Sequence, residues 1–450
     1  MNMFKYLLAI LCLLPLVLFA QENPDKEKDI FYKMGGGLRL RQFYMQNATG
    51  GYLPFEEDLV NTNHRAQLDM QLNKGEYLET FFRAIHHSEW GEVNSTNGDT
   101  FILQQAWANW KVADFLDLKF GRQPIVIGRG LSYGENQWEN VPTYYDGFGL
   151  LFDWDVMELS LYGVKVYELE RAAPSSIASD PELTNYILDL DFKDLSDMIR
   201  MADIHFVQVL GDVGQIPGTT TVLRKQRVQR FGFDLIFGGV YYEVGGSINY
   251  VTGTKEGVTV NDKVKQLMID TEAKFLMPDW ENFELWVGYH SDSGDDLAGD
   301  GTDSQYEPLN YNLHQNAGRL DFFKFGNLTY LRSGASLRFS SDWYVGGEVL
   351  FFEKSKSGAA NYLERSYLTG DLSSALQSGA VQFGNTKSLG TEFDLWVGKT
   401  YRSGVNLELS FNILKPGDAM KTAYTGGVPT QLFALNDTIM SVILDVGFFF

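Results

Sequence analysis

An all-β fold, an eighteen-stranded antiparallel transmembrane barrel, is what this 450-residue sequence predicts, and three observations carry the expectation. Segments of about ten residues alternate apolar and polar side chains with a period of two, as a sheet between lipid and water requires. Beyond residue 20 no apolar run reaches the ~18 to 20 residues of a spanning helix, so a chain that crosses a membrane must do so as a closed barrel. Short and long connections alternate along the chain, the rhythm of tight turns on one rim and long loops on the other.

The chain opens with Lys5 and an apolar run from Tyr6 to Phe19 ending at Ala20, which reads as a cleaved signal peptide over residues 1–20. A short N-terminal segment over 21–32 then leads into a barrel over 33–450. Cys12, the only cysteine, lies within the signal, so the mature chain has neither a disulfide nor a thiolate metal site. Removing the signal leaves 37 − 1 = 36 basic against 58 acidic residues, a net charge of −22 that disfavours nucleic acid as a partner. The chain holds 45 Gly, 32 Phe, 23 Tyr and 9 Trp at a mean hydropathy of −0.19, and a barrel apolar outside and polar inside averages to such a value.

The first hairpin, near 34–45 and 63–72, sets Leu38, Leu40, Leu68, Met70 and Leu72 on one face and Arg39, Arg41, Arg65, Gln67, Asp69 and Gln71 on the other. Strands follow near 76–86, whose polar face carries Arg83, then 101–111, 115–123, 145–153, 157–167, 184–192 and 201–210. The strand near 229–238 opposes Arg230 and Asp234 to Phe231 and Phe233, and after 240–251 the strand near 265–276 opposes Asp270, Glu272 and Lys274 to Ile269 and Phe275. The remaining strands run near 282–291, 328–340 with Arg338, 343–353, 388–400 with Glu392 and Asp394, 403–415 with Glu408, and 438–450 with Asp445. In the last of these Val442, Leu444, Val446, Phe448 and Phe450 share a face, as in a closing strand of an outer-membrane barrel. An arginine facing lipid at mid-membrane costs about 2–4 kcal/mol, which assigns the polar faces to the lumen.

Links such as 154–156, 277–281 and 341–342 are tight, whereas 87–100, 292–327, 354–387 and 416–437 are long, so both termini are expected on the periplasmic side of a Gram-negative outer membrane. Trp154, Trp280 and Trp343 lie beside the tight links, where an aromatic girdle meets lipid headgroups. Lipid and lipopolysaccharide are the partners of such an exterior.

Residues 104–152 hold Ala106-Trp107-Ala108-Asn109-Trp110, Phe120-Gly121-Arg122-Gln123, Ile127-Gly128-Arg129-Gly130, Trp138 and Tyr145-Asp146-Gly147-Phe148. Gly318-Arg319-Leu320-Asp321 and Gly390-Thr391-Glu392-Phe393-Asp394 follow. In order and spacing these motifs resemble the alginate-export porin family. The resemblance implies an eighteen-stranded export channel whose arginines, with acidic partners, pass an anionic polysaccharide delivered by periplasmic export components. It singles out Arg122, Arg129, Asp146, Arg319 and Asp321, to which strand parity adds Arg39, Arg41, Arg65, Asp69, Arg83, Arg338, Glu392 and Asp394. A general or nutrient-uptake porin and a plugged barrel with binding or adhesion loops are the alternatives.

The segment 292–303 gathers Asp292, Asp295, Asp296, Asp300 and Asp303 among glycines. Oxygen donors on a loop make it a candidate weak Ca²⁺ site, against the simpler reading of a solvated acidic loop, and no other cofactor is implied. No catalytic constellation is present: the six histidines are scattered, and neither a Gly-x-Ser-x-Gly elbow nor a His-Glu-x-x-His helix occurs. An enzyme is therefore not expected.

Overall fold

The computed structural model describes residues 30–46, 58–91, 100–138, 141–167, 183–193, 195–211, 214–215, 222–223, 225–256, 261–280, 282–295, 300–309, 313–359, 382–421, 423–425, 428–430 and 437–450. The expected signal and the first nine residues of the expected N-terminal segment lie outside them.

The wall strands are β1 (Ile30–Gln46), β2 (Asp58–Lys74), β3 (Leu78–Gly91), β4 (Thr100–Ala113), β5 (Leu116–Gln123), β6 (Tyr145–Trp154), β7 (Met157–Tyr167), β8 (Leu183–Phe192) and β9 (Ile199–Gly211). They continue as β10 (Gln226–Gly238), β11 (Tyr242–Glu256), β12 (Asn261–Met277), β13 (Phe283–Asp292), β14 (Leu328–Arg338), β15 (Trp343–Lys354), β16 (Ser388–Thr400), β17 (Val405–Pro416) and β18 (Ile439–Phe449). The sheet counts 19 strands, and setting aside the two-residue Thr302–Asp303, which pairs parallel with β12, leaves 18, all antiparallel. Each pairs with its sequence neighbour, and β1 pairs with both β2 and β18, which closes the cylinder and leaves no free edge in the wall.

Every expected strand corresponds to one observed strand. The ends differ: β2 reaches Asp58 and β3 reaches Gly91, beyond the expected 63 and 86, because the ladder continues above the apolar belt where lipid no longer imposes alternation. β1 begins at Ile30, three residues inside the expected N-terminal segment. Eight links, of which 114–115 and 155–156 have two residues each, lie on one rim together with Ile30 and Phe450, while the strand ends Asp292, Leu328, Lys354 and Ser388 lie at the other.

The seam between β1 and β18 depends on Gly36 and Gly37. A Cβ on Gly37 would lie 2.6 Å from Cδ1 of Phe449, and one on Gly36 would lie 2.6 Å from the backbone oxygen of Gln67. With those positions clear, Gly36 and Phe450 exchange two backbone hydrogen bonds of 3.1 Å.

Outward positions form a continuous apolar belt of half-exposed residues, among them Leu38, Leu68, Phe120, Phe148, Phe231, Ile248, Tyr289, Leu331, Phe393 and Leu444. A belt around the whole circumference is a surface for lipid rather than a patch for one partner. Trp154, Trp280 and Trp343 are exposed at the short-link rim, beside Trp110 and Tyr77.

The lumen is polar in its middle and apolar near the long-loop rim. On β1, Arg39 and Arg41 give way to Phe43 and Met45; on β9, Asp203 and His205 give way to Val207 and Val209; on β14, Arg332 gives way to Tyr330 and Leu328. Two loops occupy this apolar mouth, so the core of the molecule lies inside the barrel.

Candidate functional site

The described residues of segment 124–144, between β5 and β6, and of segment 293–327, between β13 and β14, both turn into the lumen. Apolar burial drives them there: Ile125, Ile127, Leu131 and Tyr133 of the first pack with Tyr306, Leu320, Phe322, Phe323 and Phe325 of the second against the apolar wall positions. Burial pushes the Tyr133 and Tyr306 hydroxyls above their ordinary range, so both stay neutral. The loops also bond directly, Leu309 donating its backbone N–H to the Ser132 carbonyl at 3.1 Å.

The first loop is held from two sides. Arg39 donates to the carbonyls of Gln137 and Trp138 at 3.2 and 3.0 Å, Arg41 to that of Trp138 at 2.9 Å, and Arg65 to that of Gln137 at 3.4 Å. Across the lumen, Arg129 donates to Ser247 on β11 at 3.1 Å and to Asp270 on β12 at 2.8 Å. Asp270 continues to His290 at 3.2 Å, and the far nitrogen of that ring lies 3.2 Å from Asp292.

The second loop is held by carboxylates. Asp292 accepts the N–H groups of Gly326 and Leu328 at 2.8 and 2.6 Å, Asp394 that of Arg319 at 3.1 Å, and Glu392 that of Leu320 at 2.9 Å. The Arg319 side chain pairs with Glu408 at 2.5 Å. A helix of one turn, α1 (Leu313–Asn316), presents His314, which bonds Asp321 through Nδ1 at 2.9 Å. Its ring stacks on Trp138 with centroids 3.3 Å apart, while the Arg41 guanidinium lies 3.1 Å from the centroid of the same indole. Two groups that close to one centroid must occupy opposite faces. Burial, with Arg319 and Arg41 nearby, holds His314 well below the ordinary histidine range, so the stacked ring is neutral.

Below the loops, toward the short-link rim, a cavity of about 430 Å³ is lined by Lys274, Arg319, Arg332 and Arg338, by Glu272, Glu284, Glu348 and Glu408, and by Trp286, Trp396 and Tyr344. Cations and carboxylates alternate on its wall; Glu272 pairs with Arg332 and lies 3.0 Å from Lys274.

Parity set Arg39, Arg41, Arg65, Asp69 and Arg83 on one luminal sector, and the structure brings them together there. Arg41 pairs with Asp445 at 2.6 Å, and Arg83 grips Asp69 through two bonds of 2.8 Å. Arg129, Arg319 and Asp321 belong to the inward loops, Arg338 lines the cavity, and Glu392 and Asp394 are buried anchors for the second loop rather than pore-facing groups.

Arg122 and Asp146 are corrections. Tyr145 is buried against Tyr133 inside the barrel and Phe148 is exposed outside it, so alternation sends Asp146 and its register partner Arg122 outward. They form a two-bond ion pair of 2.8 and 2.7 Å on the exterior, with side chains 34% and 39% exposed. The luminal arginines have acidic partners, as the charge pattern of the strands implies: Arg41, Arg83, Arg129, Arg319 and Arg332 each pair with a carboxylate.

The described aspartates of the candidate Ca²⁺ loop have partners within the protein. Asp292 is consumed by His290 and two backbone N–H groups, Asp300 accepts from the N–H of Thr302 at 2.8 Å, and Asp303 pairs with Lys255 at 2.7 Å. Asp295 makes interactions of its own, and Asp296 lies outside the described residues.

Sequence reasoning missed the apolar mouth and Trp138 as its junction. The signal was present: Ile439 and Ile443 face inward while Met440, Val442 and Leu444 face outward, so alternation fades near the long-loop rim.

No protein-family profile matches this chain, and no curated protein matches it either. Solved structures do. OccAB1 of Acinetobacter baumannii aligns with a TM-score of 0.56 at 10% identity over 92% of this chain and 96% of that one. OccK8 (OprE) of Pseudomonas aeruginosa aligns at 0.55 and 12% over 93% and 98%, and the outer membrane protein OprD of the same species at 0.53 and 9% over 93% and 94%. At such identities the likeness is one of fold, that of outer-membrane porins. The resemblance to alginate-export porins, and export of an anionic polysaccharide with it, is overturned: the matching structures are OprD- and Occ-type channels.

Proposed function

We propose that the chain is an outer-membrane uptake porin for small hydrophilic solutes, its bore set by the two inward loops. The observation that carries this reading is the tether of segment 124–144 to opposite wall sectors, by Arg39, Arg41 and Arg65 on one side and by Arg129 on the other. A loop fixed at both sides of a lumen sets a size limit, and the matched charges below it suit short dipolar solutes. The short links and both chain ends face the periplasm in this reading, and the apolar belt meets lipid and lipopolysaccharide.

Liposomes carrying the purified barrel should swell in amino acids and monosaccharides and fail to swell in oligosaccharides, with matching conductance steps in planar bilayers. The apolar core in the mouth favours a second reading, a plugged barrel whose exposed connections bind a partner. Absence of both swelling and conductance would select it.

A further inference from the structure

On the luminal face of β8 to β10, away from the cavity, Asp189, Asp191, Asp203, His205 and Asp234 form one layer. Register makes Asp189 the partner of His205, Asp191 the partner of Asp203, and Asp203 the partner of Asp234. We infer that this layer is a divalent metal site of the Zn²⁺ class, with Asp189, Asp203 and His205 as its protein ligands.

A donor atom from each of these three residues lies within 4.8 Å of the others, a span that side-chain rotation can close around one ion with bonds of about 2.0–2.2 Å. Asp203 is fully buried and Asp189 is 5% exposed, yet Oδ2 of Asp203 and Oδ1 of Asp189 have no hydrogen-bond donor among the described residues. Buried carboxylate oxygens without donors are costly, and neighbouring carboxylates need a shared proton or a cation between them. The basic groups close by do not suffice. Arg129 is committed to Asp270 at 2.8 Å, which leaves the His205 ring beside Asp203 and Asp234, at 2.6 and 3.7 Å, with Asp189 within 4.8 Å.

The imidazole is set as a ligand would be. Its Nε2 lies 3.0 Å from Oδ1 of Asn249, which Ser132 of the first loop also contacts at 3.2 Å by donating its hydroxyl. An N–H on Nε2 directed at that oxygen leaves Nδ1 as the coordinating nitrogen, beside Oδ1 of Asp203 at 2.6 Å. Two glycines shape the site: a side chain on Gly232 would overlap the His205 ring, and one on Gly128 would overlap the Asp234 carboxylate. Gly128 and Ser132 belong to segment 124–144, so an ion held here would lock that loop to the wall. Imidazole with carboxylates favours zinc over calcium, which takes six to eight oxygens.

The purified, chelator-washed barrel titrated with ZnCl2 in a calorimeter should bind one ion saturably, and Zn²⁺ should raise its melting temperature. Asp203→Asn and, separately, His205→Gln should each weaken that binding at least tenfold, with folding of both variants checked by heat-modified gel mobility and circular dichroism. Asp189→Asn should weaken it comparably. Zn²⁺ binding left unchanged in folded Asp203→Asn would mean ions on surface groups and overturn the site. Absence of saturable binding in the parent barrel, with Asp203→Asn more stable than the parent, would mean a shared proton and overturn it as well. Tighter binding of Ca²⁺ than Zn²⁺ would overturn the metal class.

Discussion

Trp138 and His314 stack with their planes 5° apart, and this contact joins the loop after β5 to the loop after β13 over the middle of the lumen. Arg41 covers the other face of the indole. Trp138→Ala should remove the stack and the cation contact together, weakening loop closure by about 1–3 kcal/mol. Single-channel recordings should show larger or noisier conductance; an unchanged trace would mean that the loops are held without this stack.

Acid should have a related effect. The folded His314 is neutral because burial, followed by Arg319 and Arg41, depresses its pKa, with Glu408 and Asp445 opposing weakly. A depressed histidine binds fewer protons in the closed state than in the open one. Its contribution is therefore fully present above the free-histidine value near ~6.5 and is lost progressively as pH falls below it. Lowering the pH from about 7 to about 5 should raise the open-state noise of the parent barrel, and His314→Asn should remove that part of the response.

The exterior pair separates wall stability from pore chemistry. Asp146→Asn leaves Arg122 uncompensated on the lipid-facing surface and should cost about 1–2 kcal/mol, read by urea unfolding in vesicles. Ion selectivity should stay as in the parent, whereas Arg319→Gln, in the cavity wall, should shift it. A selectivity change with Asp146→Asn would return that pair to the lumen.

Seam closure should be sensitive to one methyl group. Gly36→Ala directs a Cβ at the Gln67 backbone oxygen, which cannot move without breaking the β1–β2 ladder, so a loss of about 1–3 kcal/mol and a lower melting temperature are expected. A melting temperature equal to that of the parent would show that β1 shifts freely.

Topology can be read on intact cells. Cysteine introduced at Asp300, exposed on the long-loop rim, should react with an impermeant thiol reagent, while cysteine at Ser341, on a short link, should not. The reverse pattern would invert the barrel.

All eighteen wall strands were legible because lipid on one side and water on the other impose a period of two that needs no knowledge of partners. The luminal arginines of β1 to β3 were legible for the same reason: Leu38 and Leu40 fix where Arg39 and Arg41 must point. Arg122 was misassigned because it came from motif resemblance, although Phe120 two residues earlier already marked its face as outward. The inward loops could not be read from periodicity. Their positions depend on contacts such as Arg129 with Asp270, 141 residues apart, which leave no local pattern. Carboxylates such as Glu392 and Asp394 looked like pore-lining charge, since parity reports the side of the wall a residue faces but not what covers it there.

The apolar core in the mouth also bears on how such a protein can change over time. Because the two loops are seated by packing against Val207, Tyr330 and Phe352, exposed positions on the long-loop rim can be substituted while the packing beneath keeps its shape. Sequence drift at the rim and the shape of the lumen are thereby assigned to different layers of one chain.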